Sequence, residues 1–212
     1  SGVVLHYLLE TEHAKLGHLV QLKHHNPQQQ VWMDQFTIRN LELIAPNAPD
    51  AITLLQVVDH TATAMGGRLL RRWITAPLTN TEYINQRLNG VQHFAENSSL
   101  HEQTRSCLKQ MSDIERLVAK IATGRINPRE VNALKDALTH TTVLVELLAK
   151  ADAFSPLLAP IENSTSLQQH ITQWLDADAP TQLGKGVAIA TGVSKELDEL
   201  RALAQGGRDT LD

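Results

Sequence analysis

The chain has 212 residues, 42% of them hydrophobic and 20% charged, which suits one sizeable hydrophobic core or two smaller ones. Its formal net charge of −4 excludes a general electrostatic attraction to nucleic acid. Cys107 is the only cysteine, which excludes an internal disulfide and agrees with a reducing compartment. The sequence shows no apolar run of about 18 residues and no signal-peptide pattern. It predicts a soluble globular chain, and its start at Ser1-Gly2 without methionine favours a piece of a longer protein.

The first part of the chain predicts one helix and one small hairpin. Val3 to Leu16 places apolar residues at helical spacing and is followed by Gly17, a residue that often ends helices. Leu19 to Lys23 and Val31 to Met33 are short apolar or alternating runs on either side of a turn, which predicts a β-hairpin. We expect this hairpin to be the only β-structure in a mainly α-helical protein.

A central helix is predicted from Met65 to Ile74, with Thr63 as its N-cap and Pro77 beyond its end. At 100° per residue, one arc of this helix holds Leu69, Leu70, Trp73 and Ile74, and the opposite arc holds Arg68, Arg71 and Arg72. We expect the apolar arc to be buried and Trp73 to be the packing centre of the chain. On that basis, Trp73→Ala is expected to cost about 3–5 kcal/mol.

The later helices are predicted from their capping residues. The strongest start is Asn127-Pro128-Arg129-Glu130, which combines an N-cap, a proline in the first turn and a glutamate three residues after the cap. An apolar stripe then predicts about five turns, as far as Leu148. The other predicted features are a helix over 82–95 with Thr79 as cap, a polar break from Glu96 to Ser99, a helix over 115–121 with Ser112 as cap, a helix over 166–175, a loop from Leu183 to Gly192, and a last helix from Ser194 to Gly206-Gly207.

Catalytic and metal-binding patterns are absent from the sequence. The ten histidines include no helical H-x-x-x-H pair with a carboxylate between, and no second cysteine accompanies Cys107. Gly184-Lys185-Gly186 lacks the spacing and the hydroxyl residue of a P-loop and is interpreted as a loop. Cys107 has no neighbouring base in the sequence, which favours a buried thiol over a nucleophile. We therefore assign no catalytic, cofactor-binding or metal-binding residue.

The arginines of the central helix have two interpretations. The spacing of Arg68, Arg71 and Arg72 at i, i+3 and i+4 brings their guanidinium groups together, as a phosphate site would require. The same spacing suits a solvated helix face or ion pairs with Glu42 and Asp59, and this second interpretation is favoured because no phosphate-binding motif is nearby.

Six motifs follow one another over nearly the whole chain: Arg39-Asn40-Leu41-Glu42-Leu43, Thr53-Leu54-Leu55 to Asp59, the run from Thr61 to Trp73, Asp113-Ile114-Glu115-Arg116, the helix start at Asn127, and Gly192 to Arg201. Together, and in this order, they resemble the MutS family of bacterial DNA mismatch-recognition ATPases. The resemblance implies a mainly helical core made of three parts. Residues 1–33 would be the end of the connector region, 34–191 the helical core domain, and 192–212 the start of a lever helix that leads to a DNA clamp.

The same resemblance implies a function that belongs to a longer protein. That protein would be a cytoplasmic homodimer that binds mismatched double-stranded DNA, recruits MutL, and binds ATP and Mg²⁺ in an ATPase domain outside this chain. This chain would supply the structural core that couples the ATPase domain to the clamp. By itself it is expected to hydrolyse no ATP and to bind DNA weakly at most. The alternative is an all-α protein-interaction scaffold without a role in DNA repair.

Overall fold

The computed structural model describes residues 3, 6, 7, 10, 11 and 29–209, with side chains described as far as residue 204. Within these residues the helices are α1 Gln35–Asn40, α2 Leu54–Val58, α3 Ala64–Thr75, α4 Thr81–Glu96, α5 Ser98–Lys109, α6 Ile114–Ala122, α7 Pro128–Leu148, α8 Ser155–Leu158, α9 Thr165–Trp174 and α10 Lys195–Asp209. A 3-10 turn, Asp152–Phe154, precedes α8. The described residues form no sheet, only isolated antiparallel bridges that join Gln30 to Leu78 and Leu175 to Ile189. The mainly α-helical prediction is confirmed.

The chain divides into two compact units. The first comprises Ser1–Arg105 and Val118–Gly124, and the second comprises Ser106–Leu117 and Arg125–Asp212. The predicted division at residues 33 and 191 rests on the family resemblance and stays a prediction. Across the described helices, none combines the length and the apolar character that crossing a lipid bilayer requires.

The central helix of the first unit, α3, begins where its cap predicts. The backbone N–H of Gly66 donates to Thr63 Oγ1 at 3.0 Å. The helix ends at Thr75, with Ala76 as its C-cap, just before Pro77. This hydrogen bond satisfies one of the first-turn N–H groups that have no partner inside the helix. The predicted N-cap of α3 is confirmed.

The predicted buried arc of α3 is only half right. Leu70 and Ile74 are half-buried, but Leu69 is 41% exposed and Trp73 is 39% exposed. The guanidinium carbon of Arg87 lies 3.7 Å from the centroid of the Trp73 ring, so a cation covers part of the indole. The prediction that Trp73 is a buried packing centre is wrong.

Two glycines account for the orientation of α3. A β-carbon on Gly66 would lie 3.1 Å from Thr63 Oγ1, and one on Gly67 would lie 3.3 Å from Thr61 Oγ1. The preceding turn is held by Asp59, whose carboxylate accepts hydrogen bonds from the hydroxyl and the backbone N–H of Thr61 at 2.7 and 3.0 Å. These hydrogen bonds lower the pKa of Asp59. The glycines let this turn approach the helix closely, on the arc that also carries the half-buried apolar side chains.

The N-cap of α4 is Asn80, and the prediction of Thr79 is wrong. Asn80 Oδ1 accepts hydrogen bonds from the N–H groups of Glu82 and Tyr83 at 2.8 and 3.3 Å. The backbone N–H of Thr79 instead donates to the carbonyl of Gln29 at 3.1 Å, in the bridge beside Leu78. Because Thr79 is held in this bridge, the helix starts one residue later than the predicted capping box requires.

Three further helix boundaries differ from the prediction. The backbone N–H of Arg116 donates a hydrogen bond to Asp113 Oδ1 at 3.2 Å, so the N-cap of α6 is Asp113 and not Ser112. The predicted polar break from Glu96 to Ser99 contains the start of α5, which the sequence analysis missed. The last helix, α10, continues through Gly206-Gly207 and ends at Asp209.

The predicted hairpin lies partly outside the described residues, since Leu19 to Lys23 are among those not described. Its second run pairs with another part of the chain, because the N–H of Val31 donates to the carbonyl of Pro77 at 2.7 Å. The first predicted helix is described only at residues 3, 6, 7 and 10, which are helical.

Helix α7 organises the second unit and matches its prediction closely. Asn127 Oδ1 accepts from the N–H of Glu130 at 2.9 Å, and the Glu130 carboxylate accepts from the N–H of Asn127 at 3.2 Å, which completes the predicted capping box. The helix packs along α9, and Gln168 of α9 hydrogen-bonds to Thr139 and Thr142 of α7 at 3.0 and 3.2 Å. The buried apolar side chains of the two helices are Leu134, Ala137, Leu148 and Ile171.

Candidate functional site: the junction around helix α10

The three arginines singled out in the sequence lie on the exposed side of α3: Arg68, Arg71 and Arg72. Both predicted ion-pair partners accept hydrogen bonds from nearby groups. Glu42 Oε1 accepts a hydrogen bond from the backbone N–H of Asn47 at 2.9 Å, and Asp59 is bonded to Thr61. Among the described residues, the last two arginines form no ion pair with either carboxylate. The ion-pair interpretation is wrong for them, and their exposure agrees with a solvated helix face.

Cys107 is buried, as predicted. Its Sγ lies 3.5 Å from the carbonyl oxygen of His140 and 3.9 Å from Nδ1 of the same residue. Burial raises the pKa of the Cys107 thiol, which keeps it protonated and therefore a poor nucleophile. In the part of the chain that the structure describes, no three His, Cys, Asp or Glu side chains are grouped to hold a metal ion.

A buried amide ties α7 to the segment that follows α9. Asn132 lies inside α7 and is only 7% exposed. Its Nδ2 donates to the carbonyl of Asp176 at 2.7 Å and to that of Ala177 at 3.3 Å. A buried side-chain donor requires such partners, because burying it unpaired costs about 1–3 kcal/mol. Asn132 therefore holds the end of α9 against α7 by a specific polar contact.

The segment after α9 also pairs with the segment that precedes α10. The N–H of Asp176 donates to the carbonyl of Ala188, and the N–H of Ala190 donates to the carbonyl of Trp174, both at 3.0 Å. These two bonds flank the antiparallel bridge between Leu175 and Ile189. The predicted loop from Leu183 to Gly192 thus returns to the end of α9 and is fixed there.

The first turns of α10 are anchored to the same bridge. Arg201 Nη2 donates to the carbonyl of Ile189 at 3.0 Å, and Arg201 Nη1 lies 3.3 Å from Asp198 Oδ1. The other oxygen of Asp198 accepts from the N–H of Gly192 at 2.7 Å. Gly192 has φ +89°, a left-handed conformation that favours glycine, and Ser194 caps the helix at Leu197 N with a distance of 3.3 Å.

These contacts form a continuous polar connection, which we call the α10 junction: Asn132, Asp176, Ile189, Asp198 and Arg201. It runs from inside α7, through the bridge, to the second turn of α10. Hydrogen bonds that involve a charged group contribute about 1.5–3 kcal/mol each, more than neutral ones. The junction carries no reactive constellation. It joins the first two turns of α10 to α7 through hydrogen bonds.

The leucines of α10 are unevenly covered. Leu197 is half-buried, whereas Leu200, which lies between Asp198 and Arg201, is 58% exposed and Leu203 is 72% exposed. The first two turns of α10 are therefore held by polar contacts to the preceding segment, while two of their neighbouring leucines face solvent.

The family model for MutS domain III matches residues 36–208, which is most of the chain and includes the whole α10 junction. The chain belongs to the MutS family. The resemblance of the motifs from Arg39 to Arg201 is thereby confirmed.

Relatives of the MutS family match the chain from end to end. The DNA mismatch repair protein MutS of Christiangramia forsetii is 42% identical over 214 residues, which cover all of this chain and 25% of the relative. The proteins of the same name from Flavobacterium psychrophilum and Bacteroides fragilis are 39% and 38% identical, again over all of this chain and 25% of theirs. The chain therefore spans about a quarter of the length of the relatives it matches.

Proposed function

We propose that this chain is the structural core of a DNA mismatch-repair protein and that α10 is the start of a lever that couples an ATPase domain to a DNA clamp. The relatives are named as DNA mismatch repair proteins, and the chain corresponds to about a quarter of their length with a MutS domain III match. In the longer protein, ATP and Mg²⁺ bind in the ATPase domain, mismatched duplex DNA binds at the clamp, MutL is recruited, and two copies form a cytoplasmic homodimer. Residues 1–33 belong to the connector, 34–191 to the core and 192–212 to the lever.

The observation that supports the lever is the asymmetric anchoring of α10. Its first two turns are tied to the preceding segment, because Asp198 accepts from Gly192 N and Arg201 donates to the carbonyl of Ile189, while Leu200 and Leu203 are exposed. A helix held firmly at one end turns a small displacement at its base into a larger one along its length. An interaction scaffold would not require this polar anchor, because the anchor fixes the direction of α10 and adds little binding surface.

The proposal predicts that Arg201→Met in the full-length protein uncouples nucleotide state from DNA release. The variant keeps the side-chain length and loses both the hydrogen bond to Ile189 and the ion pair with Asp198. Changes along a coupling path alter coupling by about 0.5–2 kcal/mol, so ATP-driven release from a mismatched duplex should slow by about 2- to 30-fold. The nucleotide-free affinity for that duplex and the ATP turnover without DNA should each stay within about twofold of wild type.

The measurement is the rate of fluorescent mismatched duplex release after ATP is added, with affinity and turnover determined on the same preparations. Arg125→Met is the matched control, because Arg125 is an exposed loop residue of the same unit. Equal release rates for wild type and Arg201→Met would contradict the lever. A parallel loss of affinity, turnover and release would show a folding defect and would favour the plain scaffold.

A further inference from the structure

The turn after α1 holds a glutamate in a left-handed backbone conformation. Glu42 has φ +49°, and every other described residue with a positive φ is a glycine. One of these glycines, Gly124, lies just after α6 and has φ +67°. Glycine adopts this conformation without strain, whereas a β-carbon makes it costly. The chain therefore carries glutamate at a position where the backbone alone would favour glycine.

The backbone of Glu42 connects the end of α1 to the start of α2. The N–H of Glu42 donates to the carbonyl of Arg39 at 2.9 Å, one of the hydrogen bonds of a Schellman helix end. Past this turn, the carbonyl of Glu42 accepts from the N–H of Leu54 at 3.0 Å. The next carbonyl, that of Leu43, accepts from the N–H of Leu55 at 3.0 Å. The left-handed turn thus supplies acceptors for two first-turn donors of α2, which have no partner inside that helix.

The side chain of Glu42 closes the loop that follows the turn. Its Oε1 accepts a hydrogen bond from the backbone N–H of Asn47 at 2.9 Å. The Asn47 side chain returns to the end of α1, because its Nδ2 donates to the carbonyl of Arg39 at 2.9 Å and its Oδ1 accepts from Arg39 Nε at 3.3 Å. A glycine at position 42 could not form the bond to Asn47. The carboxylate is what glutamate adds there.

Hydrogen bonds, more than apolar packing, hold this part of the chain, which we call the α1–α2 corner: residues 39–55. Neither α1 nor α2 contains a buried residue, and residues 45–50 are exposed. Within the corner, all of which the structure describes, Thr53 is the one buried side chain. Segments with few buried apolar contacts open locally without unfolding of the whole protein. The α1–α2 corner has this character.

We propose that the α1–α2 corner opens as one local unit and that the Glu42 carboxylate is the latch that holds it closed. When the bond from Asn47 N to Glu42 Oε1 breaks, the strained backbone of Glu42 is free to relax. Relaxation turns the carbonyls of Glu42 and Leu43 away from the first turn of α2. Opening therefore frees the start of α2, the helix that packs against α3. This latch is independent of the lever proposed for α10.

The test is hydrogen–deuterium exchange of the full-length protein, measured by mass spectrometry on peptides that cover residues 43–55. Glu42→Ala removes the carboxylate and keeps the backbone strain. Exchange in these peptides should accelerate by about tenfold or more, because hydrogen bonds to charged groups are among the stronger ones. Glu42→Gln keeps an oxygen acceptor, so its exchange should stay within about threefold of wild type. Peptides from α7 should exchange at the wild-type rate in both variants.

Glu42→Gly separates the side chain from the backbone. Glycine suits the left-handed conformation and lacks the carboxylate, so exchange in residues 43–55 should accelerate, but less than in Glu42→Ala. This variant also tests the latch if Glu42→Ala does not fold. Glu162→Ala, at an exposed loop position, is the matched control and should leave this exchange unchanged. Wild-type exchange in Glu42→Ala, exchange at or below the wild-type rate in Glu42→Gly, or equal acceleration in the α7 peptides would each overturn the proposal.

Discussion

Replacement of Asn132 by aspartate should lower the free energy of unfolding by about 3–5 kcal/mol, the cost of leaving a charge buried without a partner. The change is nearly isosteric, so it leaves packing in place. It replaces the amide donor with a carboxylate oxygen that faces the carbonyls of Asp176 and Ala177. In the wild-type structure these carbonyl oxygens lie 2.7 and 3.3 Å from Asn132 Nδ2. Urea unfolding measures this loss directly when the unfolding free energies of wild type and variant depend on urea concentration with the same slope.

The matched control is Asn163→Asp. Asn163 is exposed, and its Oδ1 accepts a hydrogen bond from the N–H of Thr165 at 2.7 Å, an acceptor role that aspartate keeps. Its effect should stay within about 0.5 kcal/mol, as is usual for surface changes. Equal effects of the two substitutions would mean that the α10 junction does not depend on the Asn132 amide.

The pH dependence of Asn132→Asp follows from the same contacts. Burial and the two neighbouring carbonyls should raise the pKa of the new carboxyl above its unfolded value of about 3.9. When folding raises the pKa of a group, its stabilising contribution is complete below the unfolded pKa. That contribution is lost as the pH rises through the folded pKa. The deficit relative to wild type should therefore be smallest near pH 4, where the protonated carboxyl can donate one hydrogen bond, and should grow toward neutral pH.

Helix starts were the part of the fold most accessible from the sequence, because capping is local. Thr63, Asn127 and Ser194 all accept the predicted backbone hydrogen bonds. The two wrong caps miss by one residue each. At both positions the actual cap, Asn80 or Asp113, directly follows the hydroxyl residue that was predicted. Helix α5 was missed because its sequence is largely polar, with few apolar residues to reveal a helical period.

The packing of α3 could not be read from hydrophobicity alone. An apolar pattern predicts the buried arc of a helix when large apolar side chains make the contact with the neighbouring element. On α3 the close approach is made by Gly66 and Gly67 against the turn at Thr61, so the buried arc rotates toward the glycines. Trp73 and Leu69 are therefore left on the exposed side.

The α10 junction depends on contacts between residues far apart in the chain, which explains why it was not predicted. Asn132 meets Asp176 across 44 positions, and Arg201 meets the carbonyl of Ile189 across 12. Asn132 lies off the predicted apolar stripe of α7, on the same arc as Asp136 and Thr139, so the sequence pattern carried no signal for its burial. The family resemblance identified the region correctly but assigned no residue to this role.

The contrast between Phe154 and Trp73 tests where the hydrophobic core lies. Phe154 is 3% exposed in the 3-10 turn Asp152–Phe154, and Phe154→Ala should cost about 3–5 kcal/mol through lost burial and the cavity it leaves. Trp73→Ala removes a ring that is 39% exposed and stacked by Arg87, so it should cost about 1–2 kcal/mol, less than half as much. Urea unfolding of the 212-residue chain measures both losses. Equal losses would return Trp73 to the packing centre of the chain.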